Sequence, residues 1–232
     1  MITLRKSDER GHADHGWLNS HFSFSFADYH DPKHMEFRSL RVINEDVVQP
    51  GQGFPTHPHR NMEIFTYIVS GALEHKDSTG HGGVIRRGDL QCMSAGSGIL
   101  HSEFNPSDTE PAHLLQIWIQ PEKQGLSPRY EQKRVDLDPQ CGPLILLVSR
   151  QAENDSLMVF QDIKIYSGLL KAGASFSYKI SPSRALWLQM VRGRLKLDQH
   201  LLQAGDGAAI EALDKIEGHA SETVEFLLFD LA

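Results

Sequence analysis

Short runs of apolar or alternating residues, separated by Gly, Pro and Asp, recur along the whole chain. In residues 21–26, Phe22, Phe24 and Phe26 would share one face and the two intervening serines the other, which is the period of a half-buried strand. No long stretch shows a 3.6-residue apolar period. The pattern therefore predicts an all-β sandwich or barrel, with strands over 21–26, 39–43, 63–69, 114–119, 144–148, 163–166 and 225–229.

The strand-like runs fall into two halves. Residues 120–130 are polar and contain Pro and Gly, as is typical of a connection between domains. We therefore predict an N-terminal domain over 1–122 and a C-terminal domain over 123–232, whose residues 123–135 form the linker.

The two halves resemble each other. Gly51 and Gly71 are 20 residues apart, as are Gly173 and Gly193, and residues 64–73 align with 186–195. In the same alignment Lys179 and Ser181 correspond to His57 and His59. We infer a duplication in which the second copy has lost the imidazoles. The alternative is a coincidence between two generic strands punctuated by glycine.

Composition excludes several classes of protein. The 232-residue chain is 40% apolar and carries a net charge of −7, which argues against direct binding to nucleic acid. No apolar run approaches 18 residues, and the charged first ten residues do not look like a signal peptide. The two cysteines, Cys92 and Cys141, make no disulfide framework. We therefore expect a cytoplasmic protein without a membrane partner.

Histidine is the unusual residue of this sequence. Eleven of the 13 histidines lie in residues 1–120. If the histidines have a chemical role, that role belongs to the N-terminal half.

Two short motifs in that half have the spacing of metal ligands. On a strand, residues i and i+2 point to the same face, so His57 and His59 project together, as do His101 and Glu103. Three imidazole nitrogens and one carboxylate suit a divalent first-row metal. Pro58 donates no ladder hydrogen bond, which predicts an edge strand where a site can open.

Other candidate groups are expected to bind no metal. Glu63 could be a fifth ligand, but it lies four residues after His59 and loses strand parity with the histidines if the intervening chain turns, so we expect a supporting or structural role for it. His12, Asp14 and His15 lie in a polar stretch, and we expect them to be solvated or hydrogen-bonded. His75, His81 and His113 have no partner at ligand spacing, and we expect them on the surface or in loops. Cys92 is expected to be a buried thiol, and His219 with Glu222 to bind nothing, because the second half has no HxH motif to meet them.

These motifs resemble a known family. Residues 51–71 and 88–105 are similar to the two cupin motifs. A more specific resemblance, over roughly residues 8–120, is to the pirin family, whose bacterial members include proteins described as quercetin 2,3-dioxygenases. It is carried by residues 10–17, 24–29, 41–46, 57–63 and 93–103.

The resemblance implies a bicupin, with two stacked β-barrel or jelly-roll domains, few short helices and one metal in the N-terminal barrel. The family's ligands map onto His57, His59, His101 and Glu103. Fe(II) is the expected metal, with Mn, Co, Ni, Cu and Zn as alternatives. Glu63 is displaced by one residue from the general cupin pattern, which agrees with Glu103 as the carboxylate ligand.

The activity implied is cleavage of a flavonol such as quercetin by O2, with ring opening and release of carbon monoxide. Glu103 would also serve as the catalytic base for the flavonol hydroxyl. We expect a small-molecule substrate and a monomeric protein. One alternative is a pirin-like regulatory protein that responds to its metal without turnover. Another is a metal-free cupin isomerase with a histidine base, although such an enzyme would need only two of the four residues.

Overall fold

The computed structural model describes residues 1–137 and 143–232, almost entirely as β-strands. The strands of the first half are β1 (Ile2–Arg5), β2 (Gly11–Asp14), β3 (Leu18–Phe22), β4 (Leu40–Val48), β5 (Gly53–His59), β6 (Glu63–Ser70), β7 (Ala72–Asp77), β8 (Gly82–Arg86), β9 (Asp89–Ser94), β10 (Ile99–Phe104), β11 (Ala112–Ile119) and β12 (Arg129–Arg134). Those of the second half are β13 (Ile145–Ser149), β14 (Leu157–Met158), β15 (Ile163–Leu170), β16 (Ser175–Lys179), β17 (Ala185–Arg192), β18 (Arg194–Leu197), β19 (His200–Gln203), β20 (Gly207–Ile210), β21 (Lys215–Ala220) and β22 (Val224–Leu231).

Helical structure is limited to short 3-10 turns, at Ser7–Glu9 and Glu153–Asp155 among the described residues. No helix in the described part of the chain is long and apolar enough to cross a membrane. The all-β prediction is therefore confirmed.

The chain divides into two compact units. The N-terminal unit comprises Gly11–Val135 and Leu157–Gln161, and the C-terminal unit comprises Met1–Arg10, Asp136–Ser156 and Asp162–Ala232. The predicted boundary differs in two details. β1 pairs with β20 and so belongs to the C-terminal unit. The segment interpreted as a linker, 123–135, contains β12, which pairs with β9 of the N-terminal unit.

Each unit contains one large and one small antiparallel sheet. In the N-terminal unit the large sheet has the order β12-β9-β6-β11-β4-β3-β2, and the small sheet has the order β5-β10-β7-β8. In the C-terminal unit the corresponding orders are β1-β20-β17-β22-β15-β13 and β16-β21-β18-β19. The first six strands of the two large sheets and all four strands of the two small sheets occupy matching places, which supports the duplication inferred from the glycine spacing.

The repeated glycines also match in conformation. Gly71 and Gly193 have φ of 76° and 75°, and each follows the third strand of its unit's large sheet, β6 or β17. A Cβ at either position would lie 2.6 or 2.5 Å from a backbone carbonyl oxygen. Only glycine fits such a turn without strain, so the two units require the same residue for the same reason.

The strand predicted over residues 21–26 is wrong in its second part. β3 ends at Phe22, and residues 23–26 leave the sheet. The Ser25 hydroxyl donates to the Asp31 carbonyl, and the Asp31 amide donates back to Ser25. This local exchange competes with the ladder, and both Ser23 and Ser25 are buried rather than on a solvent face.

One of the two cysteines lies within the described residues. Cys92 is buried as expected, and it forms no disulfide within the described residues. Cys141 lies outside them.

Candidate metal centre

The HxH motif lies on β5, the edge strand of the small sheet in the N-terminal unit, as Pro58 predicted. A register shift against β10 places an extra β5 residue between Phe54 and His57, next to Pro55. The Nδ1 of His57 lies 2.7 Å from the Pro55 carbonyl oxygen. That acceptor fixes the proton on Nδ1 and leaves Nε2 free to bind a metal.

The HxE motif lies on the neighbouring strand β10, where His101 pairs with His57. His101 and Glu103 are both buried on the inner face of the sheet. The ring of His101 lies 4.5 Å from that of His57 and 4.7 Å from that of His59, centroid to centroid. One ligand nitrogen from each of the three histidines lies within 4.8 Å of the others.

Glu103 lies next to this group, close to the ring of His101. A carboxylate oxygen of Glu103 lies within 4.8 Å of ring nitrogens of His101 and His75, in a second cluster of possible ligands. Glu103 also lines the same cavity as His57 and His59. The structure thus brings the three histidines together and places Glu103 next to His101, in the wall of the same cavity.

Burial keeps two of the imidazoles uncharged at neutral pH. It lowers the pKa of His59 to about 4, and the neighbouring His57 adds to the effect. Burial likewise lowers the pKa of His101 to about 2, with the other imidazoles repelling a charge there. Neutral imidazole is the form that binds metals, so His59 and His101 can bind a cation without first releasing a proton.

Glu103 is held by two amides. Gln91 donates to its Oε1 over 3.3 Å and Gln116 donates to its Oε2 over 2.8 Å. Burial raises the pKa of Glu103 to about 7, against the effect of these hydrogen bonds, and the charge of Asp46 adds to the rise. A bound cation would favour the ionised form.

The two glutamines belong to a polar row that crosses the large sheet. Cross-strand neighbours on β9, β6, β11 and β4 are Gln91, Thr66, Gln116 and Asn44. Polar side chains deep in a β-rich core need partners. Here the side-chain amides of Gln91 and Gln116 donate to Glu103, and the Thr66 hydroxyl donates to Gln116.

Among its described residues, the C-terminal unit has neither the polar row nor the histidine pair at the matching positions. The residues in the matching row of its large sheet are Ala208, Leu188, Leu228 and Tyr166. In its small sheet Lys179 pairs with Lys215, in the place where His57 pairs with His101. Ammonium groups repel a cation and apolar side chains offer no donor atoms, so the described residues at these matching positions do not repeat the donor set of the N-terminal unit.

A cavity of about 400 Å³ opens beside the histidines, within the size range of small-molecule sites. Its walls are largely aromatic and apolar, with a few polar side chains between them. The lining residues are His15, Leu18, Ser20, Phe22, Phe26, Ala27, Asn44, Asp46, Phe54, Pro55, His57, His59, Glu103, Gln116 and Trp118.

The cavity contains a second buried carboxyl that the sequence did not single out. Ser20 donates a 2.5 Å hydrogen bond to Asp46. Burial raises the pKa of Asp46 to about 6, against the effect of the Ser20 bond. Two more buried atoms of the lining residues, Asn44 Oδ1 and Trp118 Nε1, have no hydrogen-bond partner within the described chain.

The expectation that His75 is a surface or loop residue is wrong. Its side chain is fully buried on β7, where His75 pairs with Glu103 in the adjacent β10. The contact depends on the β7–β10 register, which joins positions 28 residues apart. The available signal was the alternation of Leu73, His75 and Asp77, which places all three on one face.

The other sequence candidates lie elsewhere or have structural roles. Buried Glu63 accepts hydrogen bonds from Ser94 and the Phe160 amide, in agreement with a structural role. His12 stacks on His21. The exposed His219 contacts Ser175.

Comparisons with known proteins agree with this picture. The Pirin family model matches residues 3–119, and a model described as the quercetinase C-terminal cupin domain matches residues 146–231. The chain is 49% identical over 231 residues to a quercetin 2,3-dioxygenase of Escherichia coli K12, covering 100% of this chain and 99% of the relative. It is 39% identical over 233 residues to a pirin-like protein of Caulobacter vibrioides, covering 100% of both.

A solved structure extends the similarity to three dimensions. The crystal structure of the bacterial pirin YhhW from Escherichia coli in complex with nickel(II) superposes with a TM-score of 0.95 at 48% identity, covering 100% of this chain and 99% of that chain.

Proposed function

Because the chain belongs to the pirin family, we propose that it is a metal-dependent dioxygenase that cleaves a flavonol such as quercetin with O2 and releases carbon monoxide. One observation carries the proposal. Three imidazoles converge on the wall of an aromatic cavity that also contains buried carboxyls.

The proposed ligands are His57, His59, His101 and Glu103. Three nitrogens and an oxygen suit a divalent first-row metal, and the low pKa values of His59 and His101 keep those rings in the binding form. We propose Fe(II) as the metal; the nickel(II) complex of the pirin YhhW supports a site for divalent ions of this size. When bound, the metal supplies Lewis acidity that favours the anion of a substrate hydroxyl.

Glu103 is proposed to accept the proton of the flavonol 3-hydroxyl. A base works best when its pKa lies near the working pH, and in the metal-free protein burial raises the pKa of Glu103 to about 7. The amides of Gln91 and Gln116 hold both oxygens in place. Besides the amide it accepts, one oxygen can bind the metal through its second lone pair, and the other oxygen keeps a lone pair with which it can take up the proton.

The cavity favours a planar, polyhydroxylated ligand. Phe22, Phe26 and Phe54 supply apolar walls against which aromatic rings can stack. Asn44 Oδ1 and Trp118 Nε1, an acceptor and a donor without partners, can bond to hydroxyl groups of a substrate. A flavonol presents both an apolar face and a hydroxylated rim.

Oxygen uptake by the purified protein tests the proposal. Metal content would be determined by elemental analysis, and O2 consumption would be followed with and without quercetin. Metal together with quercetin-dependent uptake supports the dioxygenase. Metal without uptake would favour the regulatory alternative, and no metal under any loading condition would favour a metal-free isomerase. The remaining expectations, a monomer in the cytoplasm without nucleic acid or membrane partners, stand as part of the proposal.

A further inference from the structure

A buried chain of polar contacts runs from His101 away from the cavity. The Nε2 of His101 faces the Nε2 of His57 at 3.1 Å, on the side where the ligands converge. The Nδ1 of His101 lies on the opposite edge of the ring, 3.3 Å from the Nδ1 of His75. The Nε2 of His75 then lies 3.2 Å from Asp77 Oδ2.

The side chains of His75 and Asp77 are fully shielded from solvent. Tyr130 stacks on the ring of His75 with centroids 4.7 Å apart and planes 20° from parallel. The other oxygen of Asp77 accepts hydrogen bonds from the backbone amides of Thr79 and His81 and from the Thr79 hydroxyl. Both members of the pair are therefore fixed in orientation by contacts that do not involve the metal ligands.

We infer that His75 and Asp77 are positioning residues that set the tautomer and ring orientation of His101 for metal binding. If the Nε2 of His101 binds the metal, its Nδ1 carries the proton and must donate it to an acceptor. The Nδ1 of His75 is that acceptor when the proton of His75 lies on Nε2. Asp77 selects this tautomer because its carboxylate can only accept.

This arrangement also accounts for the second cluster of possible ligands, His75 with His101 and Glu103. The two Nδ1 atoms there are engaged with each other, so the cluster serves the first site rather than a second ion. The inference rests on the proposed metal site, and it does not depend on which substrate that site acts upon.

The test compares His75→Phe, Asp77→Asn and, as a matched control, His81→Phe. His75→Phe keeps a ring against Tyr130 but cannot accept a hydrogen bond. Asp77→Asn keeps the shape of the side chain but can donate to His75 and reverse its tautomer. His81 stacks on the same Tyr130 and faces the same Asp77, yet it belongs to neither cluster of possible ligands.

Each protein would be loaded with Co(II), and its affinity measured by competition with a chelator. We expect about 10–100-fold weaker binding for His75→Phe and Asp77→Asn, the usual effect of losing such an outer partner, and less than about threefold for His81→Phe. Proton NMR of the Co(II) proteins in water gives a second readout. The strongly shifted ring N–H signal of His101 should be protected from exchange in the parent and control but lost or displaced in the two variants.

Thermal unfolding without metal would show whether each variant folds. If His75→Phe does not fold, the isosteric Asp77→Asn decides the outcome. Parent-like affinity and an unchanged N–H signal in a folded variant would overturn the inference while leaving the metal site intact. So would a second Co(II) ion per parent chain that is lost in His75→Phe, since that ion would be bound by the His75 cluster. A parent that binds no Co(II) would overturn both proposals.

Discussion

The Nε2 atoms of His57 and His101 lie 3.1 Å apart, on residues that pair directly across β5 and β10. In this arrangement the two nitrogens point at the same space from two strands, and the Pro55 carbonyl holds the far nitrogen of His57. The C-terminal unit repeats the pairing with Lys179 and Lys215. The two units thus carry a pair of imidazoles and a pair of ammonium groups at corresponding positions.

We predict one metal ion per chain, bound in the N-terminal unit. The double variant His57→Ala/His59→Ala, or His101→Ala alone, should lose the metal because too few donors remain. Metal should raise the thermal midpoint of the parent and not of these variants, since it binds the folded state. Elemental analysis and thermal unfolding measure both effects. His219→Ala is the control, and full occupancy in the double variant would refute the ligand assignment.

We predict that Lys179→Ala leaves the metal count at one and changes turnover by no more than a few fold. Among the described residues, the matching positions of the C-terminal unit offer no set of donors to complete, because Leu188 and Leu228 stand where the N-terminal unit has Thr66 and Gln116. Elemental analysis with a turnover assay decides the matter. A second ion gained between residues 173 and 222 would contradict this prediction.

For Glu103 we predict separate effects on binding and turnover. Glu103→Gln keeps the shape and one ligating oxygen but removes the basic site. It should retain a measurable share of metal yet lose turnover per bound metal by about 10²-fold or more, the usual scale of general-base assistance. The assay is turnover normalised to metal content. A normalised rate within about threefold of the parent, far below that scale, would show that Glu103 is a ligand only.

Asp46 should make the metal-free protein less stable as the pH rises. Burial raises its pKa to about 6, so the folded state prefers the protonated form. The resulting contribution to the free energy of unfolding is present below about pH 4, the range of an unperturbed Asp, and is lost as the pH rises through 6.

Asp46→Asn removes this titration. Its stability relative to the parent should therefore increase by about 1–3 kcal/mol between pH 4 and pH 7.5. Urea unfolding of the two metal-free proteins at both pH values gives the comparison. A stability difference that is constant with pH would rule out a buried, titrating Asp46.

Local pattern was enough to predict the strand class, the HxH pair and its place on an edge strand. His57 and His59 are two residues apart, and Pro58 between them indicates an edge strand because it donates no ladder hydrogen bond. The duplication was also visible, because the turns after β6 and β17 both require a glycine at positive φ, Gly71 and Gly193.

What the sequence did not reveal depends on register between distant strands. His75 is brought to His101 only by the pairing of β7 with β10, and the row from Gln91 to Asn44 exists only once four strands are aligned. The strand predicted through Phe26 ends at Phe22 because Ser25 bonds to Asp31 instead of the ladder. Side chain to backbone competition of this kind has no periodic signature.

The stoichiometry of quercetin turnover at graded metal occupancy tests the central claim most directly. Samples loaded with increasing amounts of Fe(II) would be assayed for quercetin lost, O2 consumed and carbon monoxide released. The proposed dioxygenase predicts one O2 and one carbon monoxide per quercetin, at a rate proportional to bound metal and absent in His57→Ala/His59→Ala. Quercetin loss without carbon monoxide, or at a rate independent of bound metal, would contradict it.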